Sequence, residues 1–141
     1  MANDAVPDMA EIERRGAERF PGLLGIEVLE VEPGRASMRI ELAERHMAPN
    51  GFLHAGVVVG LADSACGYGC VASLPEGAVN FATIEVKTNF LGTAQRGAIA
   101  CRATLVHGGR TTQVWDAEVT AEATGKTLAL FRCTQLLLSP R

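Results

Sequence analysis

Along most of the chain, apolar and polar residues alternate, which is the pattern of strands that bury one face. Two such runs, residues 25–32 and 35–44, are separated by Pro33-Gly34 and predict a hairpin. Four more runs lie in the second half of the chain, and glycine-containing turns bound them. They cover residues 81–91, 97–107, 111–123 and 126–138. Turns this short leave no room for crossover helices, so we expect the strands to pair antiparallel.

Two segments have helical patterns instead. Residues 8–20 place apolar side chains at spacings near three and four among charges, which predicts a short amphipathic helix ended by Pro21-Gly22. Residues 54–74, HAGVVVGLADSACGYGCVASL, are apolar almost all round, with Asp63 as the single formal charge. A helix of that kind is surrounded by protein. The order of elements predicts an α+β domain with an antiparallel sheet around or beneath one central helix.

A membrane span is the alternative interpretation of residues 54–74. The central Asp63, the absence of basic flanks and the four glycines of the segment argue against it. Gly56 and Gly60 lie four residues apart, so one face of the helix is nearly bare. That face suits close packing against a sheet or against a second copy of the same helix.

Composition excludes several classes of protein. A chain of 141 residues with no repeat and no linker fits one domain. The first twenty residues mix acidic and arginine side chains and do not resemble a secretory leader, so we expect a cytoplasmic protein. Its four cysteines are then reduced, and no metal site is expected because no histidine completes the pair Cys66 and Cys70. A net charge of −3 argues against a general nucleic-acid binder.

Asp63 is the residue that most needs an explanation. Burial of an unpaired carboxylate is costly and raises its pKa unless hydrogen bonds hold the ionised form. One interpretation is structural, with Asp63 bonded to backbone or to Ser64. The other is catalytic, because the turn-rich entry at residues 50–56 leads to helix N–H groups that have no intrahelical partner. Such donors, together with the helix dipole, can hold a developing oxyanion.

The segment HAGVVVGLADSACGYGC resembles the His-Gly-Gly…Asp helix of hotdog-fold acyl-CoA thioesterases, most closely the phenylacetate-degradation (PaaI-like) branch. The resemblance covers about residues 22–138 and includes the strand ATIEVKTNFLGTA and the last three strands. It implies a long central helix wrapped by five or six antiparallel strands, which together with the predicted N-terminal helix at about 8–20 makes up one domain of residues 1–141. It also implies that Asp63 is the general base or nucleophile.

The same resemblance assigns roles around the start of the helix. It implies the N–H of Ala55, together with that of Gly56, as oxyanion donor, although Ala55 stands where the family has a first glycine. His54 corresponds to the family's histidine and is expected to orient the loop. Asn50 can orient the water or the thioester oxygen, although relatives place such a residue farther upstream.

Further residues are implied for the substrate. Thr83 matches a Ser or Thr that binds the water, yet strict alternation puts it on the outer face of its strand unless the strand start is bulged. Tyr68 either lines the acyl pocket or fills the core. The phosphates of CoA need cations, and residues 87–141 carry seven basic against three acidic side chains. The cationic candidates at strand ends are Arg96, Arg110 and Lys126, with Thr111 beside Arg110 in the same turn, and each is equally interpretable as a solvated turn residue.

Spacing along the helix predicts a dimer. Ala55 and Asp63 are eight residues apart, about 12 Å at the rise of an α-helix. A base and an oxyanion donor must each lie within about 3 Å of the reacting atoms. One chain therefore cannot supply both, whereas two chains related by a two-fold axis can form two equivalent sites. The resemblance adds that such dimers often pair into tetramers.

The predicted function is hydrolysis of an acyl-CoA, by Asp63-activated water or through an anhydride on Asp63. No cofactor is expected. Two alternatives remain open: an acyl-thioester hydratase or dehydratase that uses His54 and Asp63, and a non-catalytic acyl-CoA binding protein. The acyl group is left open between aryl or arylacetyl and medium-chain aliphatic groups.

Overall fold

Six strands form one antiparallel sheet in the computed structural model of the protein, which describes residues 8–141. The strands are β1 Ile26–Glu32, β2 Arg35–Glu41, β3 Asn80–Phe90, β4 Ala98–Gly108, β5 Thr112–Ala121 and β6 Thr127–Leu138. Their order across the sheet is β1-β2-β4-β5-β6-β3, and every neighbouring pair is antiparallel. The predicted hairpin and the four later strands are confirmed. Residues 1–7 of the predicted domain lie outside the described part.

One long helix lies on the inner face of this sheet. The helix, numbered α3 because two short helices precede it, is Ala55–Ala72 and contacts all six strands. Alternate residues of β6 are buried on the side that faces the core: Ala129, Phe131, Cys133, Gln135 and Leu137. The helix is long and apolar enough to span a membrane, but 56% of it is buried inside the protein. It is therefore the predicted core helix.

The N-terminal segment forms two helices where the sequence predicted one. These are α1 Met9–Ala17, capped by Asp8, and α2 Phe20–Leu24. The prediction that Pro21-Gly22 ends the helix was wrong. Pro21 lies in the first turn of α2, where its missing N–H costs nothing. Helix α2 ends at Gly25, whose φ of 74° favours glycine.

Strand β3 occupies one edge of the sheet and contains a bulge. Thr83 pairs with Gln135, whereas Glu85 pairs with Thr134, so Ile84 is an extra residue in β3. The bulge changes the phase of alternation. Thr83 consequently faces α3, while Glu85 and Lys87 lie on the outer face. The sequence pattern placed Thr83 on the inner face only if the start of this strand contained a bulge, and the structure has that bulge.

Two glycines bring α3 against its neighbours. A Cβ at Gly69 would lie 2.5 Å from the Trp115 ring, and a Cβ at Gly67 would lie 2.9 Å from the Phe81 ring. A side chain at either position would therefore separate the helix from β5 or β3. The bare positions of α3 are filled by aromatic rings of the sheet.

Candidate active site

Asp63 lies at the middle of α3, partly buried, with its side chain directed at β3. The Thr83 hydroxyl donates to Asp63 Oδ1 at 3.0 Å. Burial raises the pKa of Asp63 above its ordinary value, and the hydrogen bond from Thr83 offsets part of that rise. Within residues 8–141, no basic side chain forms an ion pair with Asp63. The carboxylate is therefore more basic than an ordinary surface aspartate.

The second carboxylate oxygen of Asp63 is open. Ser64, the partner that a structural role called for, donates instead to the Gly60 carbonyl at 2.6 Å. No donor among residues 8–141 reaches Asp63 Oδ2, and no buried side-chain oxygen in that range lacks a partner. Oδ2 is consequently accessible to solvent or substrate. One oxygen is fixed and the other is free to contact a water molecule or a carbonyl carbon.

The start of α3 offers one free donor. His54 is the N-cap residue, and its Nδ1 accepts from the Gly56 N–H at 2.8 Å. The Val57 N–H bonds the His54 carbonyl at 3.0 Å. The exposed Ala55 N–H has no acceptor within the described residues. Of the predicted oxyanion pair, the Gly56 N–H is therefore engaged, and the Ala55 N–H is the one that can donate to a ligand.

The same contact fixes the state of the His54 ring. Because Nδ1 accepts a hydrogen bond, the ring proton of neutral His54 lies on Nε2. Protonation at Nδ1 would break the helix cap. This arrangement favours the orienting role predicted for His54.

The loop before α3 is held by a hydrogen bond of its own and by two from the loop between β3 and β4. Asn50 is exposed, and its Oδ1 accepts from the Phe52 N–H at 3.3 Å. Gln95 donates to the Gly51 carbonyl at 3.2 Å, and Thr93 accepts from the Leu53 N–H at 3.2 Å. Asn50 therefore closes a turn and does not contact Asp63 of its own chain.

A buried histidine supports this loop from behind. His46 Nδ1 accepts from the Ala43 N–H at 2.9 Å, and its Nε2 lies 2.7 Å from the Leu24 carbonyl. The ring ties the end of α2 to the segment that leads into α3. No signal in the sequence distinguished His46 as such a support.

Of the four candidates for CoA binding, two lie at the end of the domain where α3 begins and two at the end where it finishes. Arg96 and Lys126 are in turns at the end where α3 begins, and Lys126 lies against Gly92. Arg110 and Thr111 are in the β4–β5 turn, at the end where α3 finishes. A single chain does not bring the four residues together.

Tyr68 is not brought next to Asp63. Its hydroxyl touches Gly16 of α1, and five helical residues place it about 140° around α3 from Asp63. Within its own chain Tyr68 therefore packs against α1, and its place in the acyl pocket stays a prediction.

Sequence reasoning missed Gln135. It is completely buried, and its Oε1 lies 2.7 Å from Thr83 Oγ1. The available signal was its position among the inward residues of β6, where the other four are apolar. A buried amide at that position needs a hydrogen-bond partner in the core.

Comparison with known proteins adds the family to this geometry. Residues 50–128 match the family model described as "Thioesterase superfamily". The chain belongs to this superfamily. It is also 38% identical over 111 residues to the 1,4-dihydroxy-2-naphthoyl-CoA hydrolase of Listeria monocytogenes, a match that covers 79% of this chain and 89% of the relative.

Solved thioesterases share the fold of this superfamily member. A mutant form of thioesterase PA1618 from Pseudomonas aeruginosa superimposes with a TM-score of 0.85 at 26% identity, over 95% of this chain and 96% of the other. Thioesterase HI1161 from Haemophilus influenzae gives 0.83 at 25% identity, over 99% and 96%. The predicted hotdog fold is confirmed, and the protein is a hydrolase of thioester bonds. Its assignment to the phenylacetate-degradation branch stays a prediction.

Proposed function

We propose that this thioesterase hydrolyses acyl-CoA, with Asp63 as general base or nucleophile and the Ala55 N–H as oxyanion donor. One observation carries the proposal: among residues 8–141, nothing bonds the second oxygen of the half-buried Asp63 carboxylate, whose first oxygen is held by Thr83, and nothing accepts from the first N–H of the same helix. A carboxylate with a raised pKa is a better proton acceptor near neutral pH than an ordinary aspartate.

The chemistry needs few groups because a thiolate leaves readily. Asp63 takes a proton from water as the water attacks the thioester carbonyl, and the resulting oxyanion is held by the Ala55 N–H. Collapse of this intermediate expels CoA as thiolate, which then takes up a proton. In the covalent route, Asp63 Oδ2 attacks the carbonyl and water hydrolyses the anhydride. Both routes use the same two groups.

The edge strand β3 supports a dimer. Along this strand, Ile84, Val86 and Phe90 are 58%, 46% and 48% exposed. A long edge strand with an exposed apolar face pairs readily with another strand. Antiparallel pairing of β3 with β3 of a second copy would join the two sheets across a two-fold axis and cover these side chains.

This pairing also supports a shared site. In an antiparallel pair, the end of one chain where α3 begins lies beside the opposite end of its partner. Thr83 is in the first half of β3, at that opposite end. Ala55 of one chain then approaches the Asp63 of the other, and the Arg110 end of one chain meets the Arg96 end of its partner. Assembly of dimers into a tetramer and a cytoplasmic location stay predictions.

The acyl group is proposed to be aromatic. The Listeria relative is named for a naphthoyl-CoA substrate. In this chain, rings lie on both sides of Asp63: Phe20 packs on Gly60, one turn before it, and Phe81 packs on Gly67, one turn after it. Rings in these positions can stack on a flat acyl group.

The test is release of free thiol from a panel of CoA thioesters. The panel holds 1,4-dihydroxy-2-naphthoyl-CoA, benzoyl-CoA, phenylacetyl-CoA, and octanoyl- and lauroyl-CoA. We expect kcat/KM to be at least about tenfold higher for an aromatic group than for either aliphatic chain, the discrimination that a shaped pocket provides. All four cysteines are buried free thiols, and protein without substrate gives the background.

The panel separates the alternatives. Higher kcat/KM for aliphatic chains would refute the aromatic proposal but keep the thioesterase. Binding of acyl-CoA without thiol release would favour the binding-protein alternative. A 2-enoyl-CoA is assayed beside the panel, and loss of its enoyl chromophore without thiol release would favour hydration.

A further inference from the structure

A line of polar side chains runs from Asp63 into the core. Thr83 Oγ1 lies 3.0 Å from Asp63 Oδ1 and 2.7 Å from Gln135 Oε1. The Gln135 amide continues the line, with Nε2 3.4 Å from Cys133 Sγ. Cys133 in turn lies near Cys66, three residues after Asp63 on α3. Gln135 has no exposed surface, so water does not compete for its amide.

The hydrogen-bond donors and acceptors around Thr83 show what the Gln135 amide can do there. Thr83 has one hydroxyl proton but two oxygen atoms within hydrogen-bond distance. When Asp63 is ionised, the Thr83 hydroxyl donates its hydrogen bond to the carboxylate, and rotation of the Gln135 amide lets Nε2 donate to Thr83 Oγ1. When Asp63 is protonated, its own O–H can donate to Thr83, whose proton is then donated in a hydrogen bond to Gln135 Oε1. A primary amide offers a donor and an acceptor and so matches both states.

We infer that Gln135 is a positioning residue of the active site, which directs the Thr83 hydroxyl toward Asp63 and thereby stabilises the ionised carboxylate. The inference rests on the proposed role of Asp63 and extends it to a residue that touches no substrate. Hydrogen bonds to a carboxylate offset the cost of its burial. When the Gln135 amide N–H donates to Thr83 Oγ1, the Thr83 hydroxyl proton can only be donated to Asp63.

The nearby titratable groups on α3, β6 and β4 are the thiols of Cys66, Cys133 and Cys101. Hydrogen bonding to Cys133 and burial raise the pKa of Cys66. Burial raises the pKa of Cys101 to about 12. Cys66 and Cys101 are therefore neutral at physiological pH and add no charge beside Asp63.

Charged groups of the other elements point elsewhere within residues 8–141. The inward residues of β1, β2 and β5 are uncharged, and on β3 Glu85 and Lys87 lie beyond the bulge on the outer face. On α1, Glu13 acts on Tyr68, which lies on another face of α3. On α2, Phe20 and Leu24 are the contacts at Gly60. The Thr83–Gln135 pair is therefore the polar environment that sets the charge of Asp63.

The experiment measures kcat against pH for Gln135→Met, Thr83→Val and the double variant. Loss of the Gln135 amide should move the acid limb of kcat upward by about one pH unit, the effect of about one hydrogen bond to a charge. KM should stay within about twofold, because Gln135 touches no substrate. In the double variant, Gln135→Met should add nothing to Thr83→Val, because Gln135 acts through the hydroxyl.

Gln113→Met is the matched control. Gln113 pairs with Gln135 across β5 and β6 and is equally buried, but it bonds the Ser73 carbonyl and Trp115. Its loss should reduce stability without moving the acid limb. If Gln135→Met does not fold, Gln135→Leu removes the amide without adding a charge, and the limb should again move upward.

A direct titration separates this inference from the proposed function. The Asp63 carboxyl carbon, assigned by its loss in Asp63→Asn, is followed by ¹³C NMR against pH in the native protein and both Gln135 variants. An upward shift of its midpoint supports the inference, whereas an unchanged midpoint overturns it even if Asp63 proves essential. If Asp63→Asn hydrolyses acyl-CoA at the native rate, the proposed function fails, and the carbon titration still decides the role of Gln135.

Discussion

Asp63→Asn is expected to lower kcat by about 10²–10⁴-fold, the usual contribution of a positioned acid–base group. Asn keeps the shape and can accept the Thr83 hydrogen bond that holds Oδ1, but it can neither take a proton from water nor attack a carbonyl. Steady-state thiol release from the best CoA thioester measures the effect. A kcat within about threefold of the native value would exclude Asp63 as base or nucleophile.

The same substitution should stabilise the fold at neutral pH. Burial raises the pKa of Asp63 in the folded protein above its unfolded value. The protonated form is therefore favoured by folding, and this stability is present below about pH 4 but is lost as pH rises through the folded pKa. Asn carries no charge and avoids the loss. The urea midpoint of Asp63→Asn should exceed that of the native protein at about pH 7 and approach it near pH 4.

Ala55→Pro is expected to lower kcat by about 10²–10³-fold, as for removal of one oxyanion donor. The substitution deletes the Ala55 N–H at the first position of α3, where proline fits a helix. His54 before it is extended, with φ −66° and ψ 130°, which is the conformation that a residue preceding proline adopts. The fold should therefore be kept while the donor is lost.

Ala55→Gly is the matched comparison, because it changes the side chain and keeps the N–H. The ratio of kcat between the proline and glycine variants isolates the donor. Equal urea midpoints for the native protein and Ala55→Pro check that α3 still forms. A proline variant that retains kcat within about threefold of the glycine variant would exclude the Ala55 N–H as the oxyanion donor.

The central helix and the strands could be predicted because their signals are local. Continuous apolar character marks α3, and alternation with glycine turns marks β1, β2 and β4–β6. The split between α1 and α2 was missed because Pro21 fits either the end of one helix or the first turn of the next. Asp63 could also be singled out from the sequence, because burial of a lone charge in an apolar helix is costly.

The details of the site depend on geometry that spacing does not encode. The bulge at Ile84 places Thr83 on the inner face of the sheet, and no residue type at that position predicts a bulge. The engagement of the Gly56 N–H depends on the rotation of the His54 ring. Gln135 reaches Thr83 only because β3 and β6, 52 residues apart at this contact, are neighbours in the sheet.

Whether each site takes its donor from one chain and its base from the other is tested by mixing two impaired variants. Ala55→Pro and Asp63→Asn chains carry different affinity tags, are refolded together, and the mixed dimer is purified through both tags. One of its two sites combines an intact Ala55 with an intact Asp63, so we expect about half of the native kcat per dimer. A mixed dimer no more active than its two parents would contradict a site shared between chains.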